Sequence, residues 1–304
     1  MKKAATLVVI ILIVIMMFIL FLDKEKKPII EKPQITVSTF ALYDISKSLL
    51  RDMANISMLV PFGQDIHSYE MTPQDRIGVE KSKFFIYSGA GLEPWTDSFK
   101  DHPHALDMSQ FVNLRHVEDH HDHHNHNHSI DPHYWLDIDN MIILTNKLRD
   151  VYRAAFPQEF SRQINANALY YINGLRKLGE LYKKRLSACK RDTIIVSHNA
   201  FGYLGDRYGF HVLGLMGLSP DAMPSAKDLA RLSDLVHEKR VSVLFNEPYA
   251  SDSLIQSVAD EAGVRVDTLQ PLANITEREA TEMRDYKLMM QLNLRKLYYA
   301  LECQ

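Results

Sequence analysis

The sequence predicts an α/β protein with two lobes, each a mainly parallel sheet flanked by helices, joined by one long helix. Three observations carry this prediction. Short runs of β-branched and aromatic residues alternate with amphipathic stretches, a pattern typical of parallel sheets. The alternation occurs twice, on either side of a segment that has helical periodicity throughout. With 304 residues, 46% of them hydrophobic, the chain is long enough to bury a core in each lobe.

The first lobe is predicted over residues 34–156. Thr72 and Pro73 mark a helix start within it, because Thr accepts hydrogen bonds from free helix N–H groups and Pro suits the first helical position. Gly89 and Gly91 end the third strand. The predicted strands are 35–40, 56–60 and 83–88, and the predicted helices are 44–53, the one from Thr72, and 137–156.

A linking helix is predicted over residues 157–188. Apolar side chains recur along it every three or four residues, which is the spacing of one helix face. The members of this stripe are Phe160, Ile164, Ala168, Tyr171, Leu175, Leu178 and Tyr182. Because the segment is far longer than the usual helix of about eleven or twelve residues, it is better suited to join two lobes than to lie within one.

The second lobe is predicted over residues 189–304, where the alternation resumes. Its predicted strands are 193–196, 242–246 and 265–269. One predicted helix ends at about Tyr208, two cover 225–239 and 251–262, and the last begins at about Ala280. In such open sheets, ligands bind at the carboxyl ends of the strands.

The N-terminus predicts export. Residues 4–22 hold a single polar side chain and are long enough to cross a bilayer, so 1–22 is a signal anchor or signal peptide and 23–33 a tether. The apolar run continues directly into Asp23 without a small-x-small cleavage site, which favours an uncleaved anchor. The folded part is therefore expected in the periplasm or on the extracytoplasmic face of the membrane.

The two cysteines agree with that compartment. Cys189 and Cys303 are expected to form a disulfide, because an even pair in an oxidising compartment usually does. Two buried thiols are the alternative. The net charge argues against a nucleic-acid partner, because it is −3 and the sequence has no basic stripe.

Three histidines carry the chemistry. His67 follows the second strand, His133 precedes a helix, and His198 lies at the carboxyl end of the strand 193–196. Each alone is weak evidence, since most loop histidines contact water or a backbone group. Three of them at the ends of successive α/β units favour a metal site, and neutral imidazoles suit tetrahedral Zn²⁺.

The surrounding motifs occur in a fixed order. They are Val60-Pro-Phe-Gly63, His67-Ser-Tyr-Glu70, Gly89-Ala-Gly-Leu-Glu-Pro-Trp95, Asp131-Pro-His-Tyr-Trp-Leu-Asp137, Ser197-His-Asn-Ala-Phe-Gly-Tyr203, Gly217-Leu-Ser-Pro220 and Met223-Pro-Ser225. This set resembles the zinc-binding (ZnuA-like) branch of the metal solute-binding proteins that serve ABC transporters.

The resemblance implies a function. It implies a monomeric component of a zinc uptake system, not an enzyme, that holds one Zn²⁺ between the lobes through His67, His133 and His198. It also implies that the ion passes to an ABC transporter permease in the membrane. Manganese-binding relatives carry a carboxylate at the position of His198, so the imidazole here favours zinc.

The fourth ligand stays open. Relatives often supply a carboxylate from the segment that matches residues 269–274, and here that segment holds no acid. Water, Gln270, Asp267 or a mobile histidine remain candidates. Glu247, at the end of a strand near the same edge, is expected to support a ligand from behind.

A histidine-rich loop is predicted over residues 116–128. Seven of its thirteen residues are His, and it lacks the apolar residues that a packed segment needs, so it is expected to be disordered and to capture zinc weakly. A solvated loop without function is the alternative.

An enzyme is the alternative function. A membrane-anchored zinc-dependent hydrolase would use the three histidines, a zinc-bound water and Glu247 as the base. The sequence contains no His-Glu-x-x-His motif, which argues against it.

Overall fold

The computed structural model describes residues 32–118, 128–218, 226–248 and 253–304, together with Met16. Residues 1–32 and 33–304 form two separate units, and the account below concerns the second. Within the described ranges, no helix has the length and apolar character needed to cross a bilayer. The anchor predicted at 4–22 lies outside these ranges, except for Met16.

The first sheet has four parallel strands in the order β2-β1-β3-β4. Side chains alternate between its two faces, so that Ile86 of the third strand packs in the main core and Phe85 in a smaller one. Its elements are β1 (Gln34–Val37), α1 (Phe40–Leu50), β2 (Asn55–Met58), α2 (Pro73–Lys81), β3 (Phe84–Tyr87) and β4 (Ala105–Asp107).

A hairpin follows the first sheet. Strands β5 (Arg115–Glu118) and β6 (His128–Asp131) pair antiparallel, with Arg115 directly opposite Asp131. The prediction of a disordered loop from 116 to 128 is therefore wrong at both ends, because those ends hydrogen-bond to each other as strands. Residues 119–127, with most of the loop histidines, lie outside the described ranges.

Helices α3 (Ile138–Ala155) and α4 (Ser161–Arg185) connect the two sheets. The second is the predicted linking helix, which is shorter than expected because residues 158–160 form a separate 3-10 turn. The stripe from Ile164 to Tyr182 is buried as predicted, and Phe160 is partly buried. Tyr171 donates to Asp44 of α1 at 2.6 Å, and Tyr182 donates to the carbonyl of Met290 at 2.7 Å, so this helix contacts both halves of the chain.

The second sheet also has four parallel strands, in the order β10-β9-β7-β8. Its elements are β7 (Thr193–His198), α5 (Gly202–Tyr208), β8 (His211–Met216), α6 (Ala226–Glu238), β9 (Val243–Asn246), α7 (Ser253–Ala262), β10 (Arg265–Thr268), α8 (Glu277–Thr281) and α9 (Tyr286–Ala300). The predicted fold class of two lobes with mainly parallel sheets and one linking helix is confirmed. The exact lobe boundaries stay a prediction.

The last helix differs from the prediction of one helix from Ala280. It is interrupted between α8 and α9, where Met283 has a positive φ of 51° and Asp285 accepts a hydrogen bond from the N–H of Leu288 at the start of the new helix. Beyond α9, Cys303 is bonded to Cys189, so the predicted disulfide is confirmed.

The segment 271–275, after β10, is hydrogen-bonded to the first lobe. The carbonyl of Ala273 accepts the N–H of Phe40 at 2.7 Å, and the carbonyl of Pro271 accepts the indole N–H of Trp135 at 2.8 Å. The side-chain amide of Asn274 donates to the carbonyls of Pro61 and Gln64 at 2.7 and 2.9 Å. The second lobe therefore contributes a segment that lies against the first lobe beside the cleft.

Candidate metal centre

The structure brings the three predicted histidines together. One nitrogen each of His67, His133 and His198 lies within 4.8 Å of the others, and Nε2 of His133 is 3.2 Å from Nε2 of His198. Two nitrogens on one tetrahedral zinc, each at about 2.0–2.1 Å, would be about 3.3 Å apart. The observed spacing of this pair therefore fits a shared zinc ion.

Each histidine follows a different element. His198 is the last residue of β7, and His133 comes two residues after the end of β6. His67 lies in the loop between β2 and α2 and is the least buried of the three. His67 and His198 lie after or at the carboxyl ends of parallel strands in two different sheets, whereas His133 follows a strand of the antiparallel hairpin, so three separate parts of the fold converge here.

Two aspartates hold the ligand loops in the same way. The backbone N–H of His67 donates to Asp65 Oδ1 at 2.9 Å, and that of His133 donates to Asp131 Oδ1 at 3.0 Å. Each is a local turn in which a carboxylate accepts from an N–H two residues further on. The Asp-x-His spacing therefore fixes the backbone position from which each of these two imidazoles extends.

Carboxylates also hold two of the imidazole rings. Nδ1 of His133 donates to Asp131 Oδ1 at 2.9 Å, and Nδ1 of His198 faces Oε1 of Glu247. A carboxylate only accepts, so Nδ1 carries the proton in each ring and Nε2 keeps the lone pair that a metal needs. Glu247 thus supports His198 from behind, in the arrangement expected of it.

Burial lowers the pKa of two of the cavity histidines, His67 and His198. The pKa of His67 falls from 6.5 to about 3, because burial disfavours the charged ring and His133 is close by. The pKa of His198 lies well below its ordinary value, through burial and then the proximity of His133 and His67. Both rings are therefore neutral at pH 7, which is the protonation state that binds metal.

The three rings enclose a cavity of about 10 Å³. A space of that size holds about one water molecule or one ion. The lining residues are Gln64, Asp65, Ile66, His67, His133, His198, Glu247, Pro271, Ala273 and Asn274. His67 also borders a larger open cavity of about 640 Å³, so it separates the closed cavity from solvent.

Comparison with known proteins identifies the family. The model of the family described as "ZnuA: Zinc-uptake complex component A periplasmic" matches residues 35–300. The chain belongs to this family. The match runs through both sheets and all three histidines.

The chain is also similar in sequence to individual zinc-binding proteins. The zinc-binding lipoprotein AdcA of Streptococcus pneumoniae is 29% identical over 280 residues, which are 88% of this chain and 55% of AdcA. The high-affinity zinc uptake system protein ZnuA of Bacillus subtilis is 26% identical over 277 residues, 87% of this chain and 86% of that protein. The chain thus spans about half the length of AdcA.

A solved structure matches the fold at similar coverage. The crystal structure of the Zn(II)-bound ZnuA-like domain of Streptococcus pneumoniae AdcA has a TM-score of 0.75 and 28% identity, covering 89% of this chain and 99% of that domain. The part of AdcA to which this chain corresponds is therefore its ZnuA-like domain.

Two candidates for the fourth ligand do not line the cavity. Asp267 pairs with Lys296 at 2.9 Å, and the side-chain N–H of Gln270 donates to Glu279 at 2.8 Å. Neither is among the described residues that line the cavity. The buried Oε1 of Gln270, the atom that would bind a metal, has no hydrogen-bond partner among the described residues. The fourth ligand therefore stays a prediction, with water, Gln270, Asp267 and a mobile histidine as its candidates.

Sequence reasoning missed two residues of the site. Asp131, which lies in one of the ordered motifs, and Arg115 both support the site, and neither role is predicted from the sequence. The Asp-x-His spacing, present at both Asp65 and Asp131, is the signal that could have found the first. Arg115 carries no local signal, because its partners lie elsewhere in the sequence.

Proposed function

We propose that the chain is the zinc-binding component of an ABC-type metal uptake system. It captures Zn²⁺ between its lobes with His67, His133 and His198 and delivers the ion to a membrane permease. The observation that carries this proposal is the small cavity of about 10 Å³ with three imidazoles on its wall. Imidazole donors select zinc over manganese, which prefers oxygen ligands.

The relatives support the same function. AdcA is named a zinc-binding lipoprotein, and the Bacillus subtilis relative a component of a high-affinity zinc uptake system. The family description places its members in the periplasm. We therefore assign this chain to the extracytoplasmic side of the membrane, as a monomer, with residues 4–22 as its anchor.

The geometry does not favour the hydrolase. A zinc-dependent hydrolase needs space beside the metal for a water molecule and a substrate, and the cavity holds about one ion. Glu247 faces Nδ1 of His198, where it orients a ligand instead of activating a water. The family is a transport component and not an enzyme.

A zinc titration in competition with a chromogenic chelator tests the proposal. Titrating both the full chain and a variant in which a short Gly-Ser linker replaces residues 119–127 separates the tight site from the weaker histidine sites, and loss of the tight site in that variant would assign the fourth ligand to that segment. We expect one equivalent of tight zinc, and at least tenfold weaker binding in each of His67→Ala, His133→Ala and His198→Ala. Manganese should compete poorly.

His211→Ala is the matched control. This histidine is exposed at the start of β8 and does not belong to the cavity, so its loss should leave the tight site unchanged. If the three cavity variants bind zinc as tightly as the parent, the metal is held elsewhere and the proposal is wrong.

A further inference from the structure

Arg115 joins two carboxylates that belong to different lobes. Its Nη1 lies 3.3 Å from Asp131 Oδ2 in the hairpin, and its Nε lies 2.7 Å from Asp206 Oδ2 on α5. The Asp131 side chain is completely buried, whereas that of Asp206 is 65% exposed. Arg115 therefore connects a surface group of the second lobe to a buried group of the first.

Asp131 passes this connection to a zinc ligand. Its other oxygen, Oδ1, accepts from both the backbone N–H and the ring Nδ1 of His133. A buried carboxylate is costly unless a cation faces it, and Arg115 supplies that cation. The series Asp206, Arg115, Asp131 and His133 thus runs from one lobe to the metal cavity without a gap.

The start of α5 is shaped around the guanidinium group. A Cβ atom at Gly202 would lie 2.4 Å from Nη1 of Arg115 and 3.0 Å from Oδ2 of Asp131, so only glycine permits this close approach. The hydroxyl of Tyr203 accepts the backbone N–H of Arg115 at 2.7 Å and donates to the carbonyl of Asp131 at 2.8 Å. Two consecutive residues of the second lobe therefore contact the Arg115–Asp131 pair.

We propose that Arg115 is a positioning residue that couples contact between the lobes to the hold on zinc. With α5 against the hairpin, Arg115 is fixed on Asp131, and Asp131 fixes the His133 ring with Nε2 toward the cavity. When α5 moves away, Arg115 loses Asp206 and Tyr203, and His133 loses its fixed orientation. The inference rests on the proposed function, and its subject is release of the ion.

Arg207 provides the matched control. It lies on the same helix and also crosses to the first lobe, where it contacts Asp137 at 2.6 Å and Asp139 at 2.5 Å. Its described contacts are with these two carboxylates and not with Asp131. Arg207→Ala therefore weakens the lobe contact to a similar degree while leaving the partner of His133 in place.

The experiment measures zinc dissociation from the full chain into an excess of chelator. We expect Arg115→Ala to speed dissociation at least tenfold, since the loss of groups behind metal ligands typically lowers metal affinity 10- to 100-fold. Arg115→Lys should recover part of the loss because it restores the charge. Arg207→Ala should change the rate less than about threefold, since exposed ion pairs are weak. Asp206→Asn, which weakens the hold of α5 on Arg115 but leaves Arg115 on Asp131, should speed dissociation more than Arg207→Ala and less than Arg115→Ala.

A second measurement separates positioning from general loosening. The ring ¹⁵N resonances of His133 report which nitrogen carries the proton, and Arg115→Ala should move them in the zinc-free protein while Arg207→Ala does not. If zinc dissociation is accelerated equally in the Arg115→Ala and Arg207→Ala variants, Arg115 acts only as a contact between the lobes and the proposal is overturned. An unchanged rate in Arg115→Ala and Arg115→Lys would do the same. If the parent itself fails to bind zinc tightly, the proposed function has failed.

Discussion

At the scale of single residues, the site depends on carboxylates that do not bind the metal themselves. Asp131 accepts from Nδ1 of His133, and Glu247 faces Nδ1 of His198, so both carboxylates direct an Nε2 lone pair into the cavity. Both are buried or nearly so, with 0% and 10% of the side chain exposed. In so buried a site, a histidine whose Nδ1 loses its acceptor is free to rotate or to change tautomer.

Glu247→Gln tests this role. The amide keeps the shape of the side chain but loses the charge that stabilises a metal-bound imidazole, so zinc affinity should fall about tenfold. Chelator competition measures the effect, and Glu238→Gln, a side chain 63% exposed on α6, is the control. Unchanged affinity in Glu247→Gln would mean that Glu247 does not support His198.

A different residue makes stability depend on pH. Burial raises the pKa of Asp44 from 3.8 to about 6, although the hydrogen bond from Tyr171 acts in the opposite direction. Because the folded pKa is the higher one, the neutral carboxyl stabilises the fold fully below pH 3.8. That contribution is lost as the pH rises through 6.

Asp44→Asn should therefore stabilise the protein at neutral pH and not at acidic pH. The amide stays neutral and still accepts from Tyr171, so the free energy of unfolding at pH 7.5 should rise by about 1–3 kcal/mol over the parent. Urea titrations at pH 4, 5, 6 and 7.5 measure the difference, which should shrink to nearly zero at pH 4. A constant difference across this range would show that Asp44 titrates normally.

The sequence located the three clustered histidines better than the residues that support them. His67, His133 and His198 were identifiable because imidazoles at the ends of α/β units have an obvious chemistry. The partners of Asp267 and Gln270 were not identifiable, since Lys296 and Glu279 reach them only through the packing of α9 and α8. Short motifs reveal chemistry, whereas hydrogen bonds between distant segments require the folded chain.

At the scale of elements, helix α4 packs against both halves of the chain. Its buried stripe contacts α1 on one side and α9 on the other, and Tyr171 and Tyr182 each donate a hydrogen bond to those neighbours. The opposite face is solvated, with Tyr170 72% exposed. Packing along one face therefore stabilises the helix.

Leu175→Ala should destabilise the protein by about 2–5 kcal/mol, because it leaves a cavity at a fully buried position in the middle of the stripe. Tyr170→Ala on the exposed face should change the free energy of unfolding by less than about 0.5 kcal/mol. Denaturant titration compares the two variants. Similar losses in both would contradict a one-sided helix.

Elements with an uninterrupted local pattern were predictable, and elements whose pattern is interrupted were not. The stripe of α4 and the cap of α2 are local patterns, so their positions followed from the sequence. Strand β8 was missed because Gly214 interrupts its apolar run. Glycine is needed there, since a Cβ would lie 2.4 Å from the carbonyl oxygen of Met216 and 2.9 Å from Cβ of Asn199. A steric requirement of the fold thus removed the local signal for a strand.

At the scale of the whole molecule, the disulfide closes a long stretch of chain. Cys189 and Cys303 are separated by 114 residues, so the bond restricts the unfolded second lobe far more than the folded one. The bond lies beyond the end of α9, where Arg191 and Glu302 also pair at 2.7 Å.

Cys303→Ser should lower the free energy of unfolding by about 2–4 kcal/mol, with Cys189→Ser giving the same loss because both remove one bond. The affinity of the cavity for zinc should be unchanged, since the bridge is remote from the three histidines in the fold. Unfolding and zinc titrations on the same samples measure both quantities. Weaker zinc binding in these variants would show that the bridge also shapes the cleft.

The segment 271–275 limits how far the lobes can separate. A wide swing of the lobes would break the bonds that Phe40, Trp135, Pro61 and Gln64 make with this segment, at a net cost of about 1 kcal/mol for each. These bonds leave room only for smaller displacements, such as a movement of α5 away from the hairpin or of His67, which borders open solvent. Under the proposed function, a permease that receives the ion would distinguish the loaded protein from the empty one by the local surface beside the cavity and not by a large change in the arrangement of the lobes.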